Sequence, residues 1–210
     1  MASFFIIGEK KTRPGVYFRY ENWGRPPVAG VDDGKCAAVF RSNWGPLGKA
    51  LVLEQSEDIA KQFGNGGENG TTAVPMEQFK GGARLVYAVR LGSGGTHGVY
   101  QIEDDAGNAV VQLTLKYPGS RSLSVAIRPT LMDAGKTELL ILEGTEQLES
   151  LTFSNAENSV AALLEAFEKQ KSSYFVLTKL ADSTEKLKTI DQAEITGGTD
   201  PTVNVAAYSA

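Results

Sequence analysis

Two glycine-rich joints constrain what this chain can fold into more than any other feature. "GSGGTHG", Gly92 to Gly98, interrupts any helix or strand that reaches it, and Gly197-Gly198 is a second break. Before the first joint, apolar residues alternate between strand and helix spacing; between the joints strand spacing dominates. The pattern predicts a β-rich module over residues 94–196, inserted into an α/β domain that stops at the first joint and resumes at the second. After Gly198 about a dozen residues remain, too few for the crossover helix and further strands of such a sheet.

Local patterns place the elements. Val16, Phe18 and Tyr20 alternate with Tyr17, Arg19 and Glu21, the period of a strand that starts after Pro14-Gly15. Cys36 to Phe40 and Ala50 to Leu53 read as short strands. Ser56 is placed to cap a helix with Glu57 and Asp58 in its first turn and Ile59 and Phe63 on one face. Gly64 ends that helix, and the loop "GNGGENG" leads to a short helix around Met76 to Phe79. A strand over Arg84 to Leu91 completes the first part.

Beyond the joint, Val99 to Glu103 and Ala109 to Lys116 flank "DDAGN" as a hairpin. Strands follow at Leu123 to Arg128, Glu138 to Leu142 and Gln147 to Phe153. Val160, Leu163, Leu164 and Phe167 recur at helical spacing after Asn158 or Ser159, which predicts an amphipathic helix with Glu165, Glu168 and Lys169 outward. Tyr174 to Lys179 is a further strand.

Composition limits the chemistry. With 41% hydrophobic and 22% charged residues, 210 residues suffice for one large domain or two small ones. A net charge of -4, with no basic run longer than Lys10-Lys11, offers no field for nucleic acid. Cys36 and His97 are the only residues of their kinds, which excludes an internal disulfide and a Cys/His zinc site. The apolar run Phe4 to Ile7 is too short to span a bilayer and lacks the flanks of a secretory signal, so a soluble, unexported protein is expected.

Motifs with catalytic overtones fail on context. "RLGSGGTHG" carries His97 where a dinucleotide loop needs its third glycine, and a strand follows where a helix N-terminus is required. "DAGKT", Asp133 to Thr137, has Thr130 in place of the first glycine of a P-loop and reads as a turn. Asp32-Asp33 and Asp104-Asp105 are turn acids, because neighbouring side chains point apart. His97 stands in the linker without an orienting partner. Trp23 and Trp44, each beside a glycine, suit the edge of a core better than an aromatic platform for sugars. No catalytic set, cofactor site or metal site is predicted.

Taken in order, "RPGVYFRYE", "NWGPLGKALVLEQSEDIAKQFG" and "FKGGARLVYAVRL" resemble the opening of contractile tail sheath proteins of bacteriophages and related injection machines. The features fall at Pro14 to Tyr17, Gly45-Pro46, Ser56 to Gly64 and Gly81 to Arg90. "LKYPGSRSLSVAI", Leu115 to Ile127, is similar to a Lys-Tyr-Pro-Gly turn of that family, although "SRSLSV" replaces its usual Gly-Asn. "TGGTDP" resembles the motif that closes the family's inserted domain.

The resemblance implies a mixed α+β and α/β fold. It comprises an N-terminal extended arm over 1–21, an incomplete α/β core domain over 22–93, a β-rich inserted domain with one long amphipathic helix over 94–196, and a return toward the core over 197–210. It implies that family members continue further, so that this is the N-terminal part of a sheath polypeptide. The arm, Val16, Tyr17, Phe18, Arg19, Tyr20 and Glu21, would add a strand to a neighbouring subunit's sheet. Such a heterologous contact propagates as stacked rings or a helix.

The implied function is that of a structural, non-enzymatic subunit that polymerises around a tail tube and contracts to drive it through a cell envelope. The implied partners are other copies of the subunit, the tail tube protein, and baseplate and tail terminator proteins, with no nucleic acid and no membrane insertion. The implied location is the virion tail, after assembly in the bacterial host cytoplasm. Two rival readings are a small-ligand enzyme with its cleft near Gly92 to His97, and a carbohydrate-binding surface module using Trp23 and Trp44.

Overall fold

The computed structural model describes residues 34–67, 70–130, 133 and 135–204. The arm residues Val16 to Glu21, Trp23 and the pair Asp32-Asp33 lie outside the described residues.

The first part forms a three-stranded mixed sheet in the order β1-β3-β2. β1 (Lys35–Phe40) runs parallel to β3 (Leu85–Arg90), and β2 (Ala50–Leu53) pairs antiparallel with the other edge of β3. Alternation sends Ala38, Phe40, Leu53, Val86 and Ala88 to one face, where they meet Ile59 and Phe63. Those two belong to α1 (Glu57–Phe63), and Phe40 and Phe63 meet edge to face with ring centroids 4.9 Å apart.

Acidic residues lead α1 and Lys61 lies in its last turn, which suits the helix dipole. Ser56 was the expected cap but makes no side-chain bond to the helix. Instead the Asp58 carboxylate reaches back and accepts from the amides of Glu54 and Gln55, both at 3.2 Å. α2 (Ala73–Lys80) carries Pro75 in its first turn, where no amide partner is lost. It is tied to β1 by a bond from Gln78 Nε2 to the Ala37 carbonyl at 2.9 Å.

After the first joint, two larger sheets form. One has the order β4-β5-β9, from Val99–Glu103, Ala109–Leu115 and Phe175–Lys179. The other has the order β10-β6-β7-β8, from Ile190–Glu194, Ser124–Pro129, Lys136–Glu143 and Glu146–Ser154. All their pairings are antiparallel. Their apolar positions share one core with Val160 and Leu163 of α3 (Ser159–Lys169), which packs on β8 and β9. Asn158 does not cap α3. It takes a left-handed conformation, φ 62°, while Ser159 Oγ donates to the Glu185 carbonyl at 2.9 Å.

The segment 186–196 stitches the two sheets together. Asp105 N donates to Lys186 O, Lys188 N to Glu103 O, and β10 then pairs with β6. Sequence patterning missed β10, because its residues are mostly exposed and polar and do not alternate.

The glycine joints differ from the free linkers expected of them. They pair with each other as an antiparallel ribbon. Ser93 and Thr202 exchange both amide bonds at 3.0 Å, Thr96 and Thr199 do the same at 3.3 and 3.1 Å, and Val99 N donates to Thr196 O at 2.8 Å. Leaving and returning strands thus brace one another, and all the described residues belong to one compact unit.

Candidate functional site at the seam between the sheets

The seam where the three-stranded sheet meets the larger ones holds both of the buried arginines among the described residues, Arg90 and Arg121. Strand β3 ends in Arg90, whose alternation turns it inward, and it is 0% exposed. Its Nε donates to the Ser42 carbonyl at 2.9 Å. Its Nη1 donates to the carbonyls of Gly45 at 2.7 Å and Pro118 at 2.8 Å. Ser42 and Gly45 belong to the loop after β1; Pro118 follows β5. One guanidinium therefore holds backbone from both sides of the seam, using the planar donor fork that lysine lacks. Burial pulls its pKa below the ordinary arginine value, to about 10, opposed by the charge of Asp200, so it stays a cation at neutral pH.

The fit around Arg90 is close. A Cβ on Gly119 would lie 1.9 Å from the Asn43 carbonyl oxygen, and one on Gly198 would lie 2.3 Å from the Gly119 carbonyl oxygen. Only glycine allows backbone to approach backbone this way. Asp200 fastens the returning strand by accepting from Ser120 N and Ser120 Oγ, each at 2.8 Å.

A second arginine works beside the first. Arg121 makes a two-pronged pair with Glu143, Nε to Oε1 at 3.1 Å and Nη2 to Oε2 at 2.8 Å. Its guanidinium lies 5.7 Å from the ring centroids of both Trp44 and Tyr174. Burial raises the Tyr174 hydroxyl above the ordinary tyrosine value, with Arg121 pulling the other way.

Trp44 is 2% exposed and belongs to the core of the larger sheets, although it sits in the loop after β1. It meets Tyr117 edge to face at 5.3 Å and stacks on Tyr174 at 6.1 Å. It is therefore a peg across the seam, and burial removes it from any carbohydrate platform.

The other sequence candidates resolve as follows. His97 Nδ1 donates to the Leu115 carbonyl at 2.6 Å, so the ring is oriented after all, by backbone. The strip Gly92 to His97, proposed as a ligand cleft, is taken up by pairing with residues 199–202. Asp104 accepts from Asn108 N at 2.8 Å and Ser183 Oγ at 2.9 Å, which holds its carboxyl below the ordinary aspartate value. Asp133 accepts from Gly135 N just before β7, and the last two residues of "DAGKT", Lys136 and Thr137, already belong to that strand, so the turn is shorter than the sequence reading had it.

A hollow of about 400 Å³ opens beyond the carboxyl ends of β1 and β3, lined by Arg41, Ser42, Leu91, Asp200, Pro201 and neighbours. Ligands often bind at such a place in α/β sheets. Here the Ser42 hydroxyl is spent on the Trp44 carbonyl at 2.8 Å, which leaves Arg41 and Asp200 as the charged groups. No nucleophile and base stand together there. Among the described residues no group of three His, Cys, Asp or Glu is placed to hold a metal ion, and no helix is long and apolar enough to cross a membrane.

Sequence reasoning missed the seam. Arg90 was visible only as the end of a strand, and Arg121 only as a departure from a loop motif. An arginine at an inward position of an alternating strand was the available signal.

Neither protein-family models nor curated protein sequences match this chain. Solved structures do. A sheath tail protein of Listeria innocua superposes with a TM-score of 0.64 and 19% identity, over 84% of this chain and 36% of that one. A sheath tail protein of Desulfitobacterium hafniense gives 0.61 and 20%, over 93% and 41%. The fold is that of sheath tail proteins. At this identity the likeness speaks for the sheath tail fold, and this chain spans about two fifths of the length of either neighbour. The mixed architecture of three sheets with few helices is common ground with the resemblance read from the sequence.

Proposed function

We propose that this chain is the N-terminal part of a structural subunit of a contractile tail sheath. The sheath tail fold, kept over most of the chain at low identity, is the observation that carries the reading. In this reading, residues 22–93 and 197–210 belong to the core domain and 94–196 form the inserted domain. The ribbon Val16 to Glu21 pairs with the sheet of the next subunit, its backbone supplying the bonds and its alternate side chains the register. Copies joined head to tail build rings or a helix around a tail tube, ending at baseplate and terminator proteins, in the virion tail after cytoplasmic assembly.

Contraction is a passage between two sets of interfaces of the same protein, so the energy lies in the lattice and no bond chemistry is needed. The paired joints suit that role, because a ribbon of two strands transmits rotation that a free linker would absorb. The test is electron microscopy of the polypeptide that carries this chain, with and without residues 1–21. Tubular sheaths that vanish on deletion are expected; sheaths of unaltered length would refute the arm.

A further inference from the structure

The loop after α1 carries chemistry that the seam does not use. Asn65 is exposed and is followed by Gly66, and among the described residues no other asparagine precedes a glycine. A glycine has no side chain to crowd its own amide, and the fold requires one here. Gly66 takes φ 91°, and a Cβ on it would lie 2.7 Å from Thr72 Oγ1. No hydrogen bond or ion pair among the described residues holds the Asn65 side chain or the Gly66 N–H. By contrast, Asn108 Nδ2 donates to Asp104 at 3.3 Å, Asn155 bonds the Leu187 backbone through both side-chain atoms, and Asn43 is buried.

We propose that Asn65 is a site of spontaneous covalent modification, where the chain converts its own side-chain amide to a carboxylate and loosens the seam. The Gly66 nitrogen attacks Asn65 Cγ; the N–Cγ bond forms, the Cγ–Nδ2 bond breaks, and Nδ2 leaves as ammonia, taking up the Gly66 amide proton. Water then opens the cyclic imide. Attack at Cγ gives aspartate, and attack at the former main-chain carbonyl gives isoaspartate, whose main chain runs through Cβ and is longer by one atom. Either product adds a negative charge just past the C-terminus of α1, at the unfavourable end of the helix dipole. The loop has little room to adjust. A Cβ on Gly64 would lie 2.4 Å from Asn43 Oδ1, and one on Gly67 would lie 3.0 Å from Asn43 Cβ and 3.4 Å from Asp200 Oδ2. A new charge and a lengthened backbone therefore press on Asn43 and on Asp200, which fastens the returning strand through Ser120.

The site stands or falls separately from the sheath reading, since it concerns one copy of the chain. Peptide mapping by mass spectrometry of the 210-residue chain, aged in mildly alkaline buffer, tests it, with fragmentation separating Asn65 from Asn69. Conversion of Asn65 to aspartate and isoaspartate is expected at a rate within roughly tenfold of that in the urea-unfolded chain, because nothing has to open first, and ahead of Asn108 and Asn155. Slowing by more than that on folding, or conversion confined to Asn69 or shared equally with Asn108 and Asn155, overturns the site. Hydrogen exchange reads the consequence. The Ser120 amide, which donates to Asp200, is expected to exchange faster in the converted fraction than in fresh protein, while Asn65→Gln aged in the same way keeps the fresh rate. Equal Ser120 rates in converted and fresh protein, or the same acceleration in aged Asn65→Gln, overturn the link to the seam.

Discussion

The two parts of this molecule solve the burial problem differently. The larger sheets and α3 enclose a core with apolar groups converging from several sides, among them Ile102, Leu113, Ile127, Ile141, Leu163 and Phe175. Among the described residues, helices cover one face of the three-stranded sheet. Its other face carries Val39, Val52 and Tyr87, each 41–51% exposed, and is open among the described residues. Sheets containing parallel pairs are normally covered on both faces. The larger part is built to stand by itself, whereas the smaller relies on the seam, where Trp44, Arg90 and Arg121 lend it a neighbour's interior.

That contrast breaks most sharply at Gly119. Gly119→Ala puts a methyl group into the Asn43 carbonyl, and the seam has to part. Urea denaturation is expected to show a loss of more than about 4 kcal/mol, with Trp44 fluorescence shifting red before the larger core unfolds. A single transition at unchanged midpoint would mean that the seam yields without cost.

A matched pair of leucines, each 0% exposed, compares the two cores directly. Leu113→Ala is expected to cost about 4 kcal/mol, and Leu53→Ala about 2 kcal/mol, since a sheet with one open face collapses more readily around a cavity. Equal losses would show that the smaller sheet is as rigidly packed as the larger.

The fold was legible wherever burial imposes a period. β2 and α1 fell where alternation and helical spacing placed them, and the strands that face the large core followed to within a few residues. What was not legible depends on pairings distant in sequence. β10 has no alternation of its own, and the glycine joints look like flexible chain until Ser93 meets Thr202 and Thr96 meets Thr199. Arg90 carries no local mark of burial, because its three acceptors lie 28 to 48 residues away. Trp44 was read rightly as core, but to which core it belongs is settled by Tyr117 and Tyr174. The arm, Val16 to Glu21, lies outside the described residues, so its assignment rests on the sequence.

A smaller effect belongs to the larger part alone. Asp104 has a carboxyl held below its ordinary value, first by the Asn108 amide. A group depressed on folding stabilises above its unfolded pKa and loses that contribution as pH falls through the folded one. The stability difference between the unaltered protein and Asp104→Asn should therefore be constant above about pH 5 and shrink below about pH 4. A difference that persists at lower pH would contradict the assignment.

The smallest change is expected on the open face. Val52→Thr should move the stability of this chain by no more than about 0.5 kcal/mol, since the side chain already meets water. A larger loss, read by the same urea titration, would show that something covers that face.

The most direct measurement is an electron cryomicroscopy map of the assembled polymer, traced from the first residues of one subunit. The account predicts Val16 to Glu21 as a strand hydrogen-bonded to the sheet of an adjacent subunit. The same residues folded onto their own subunit, with rings held together by other surfaces, would contradict it.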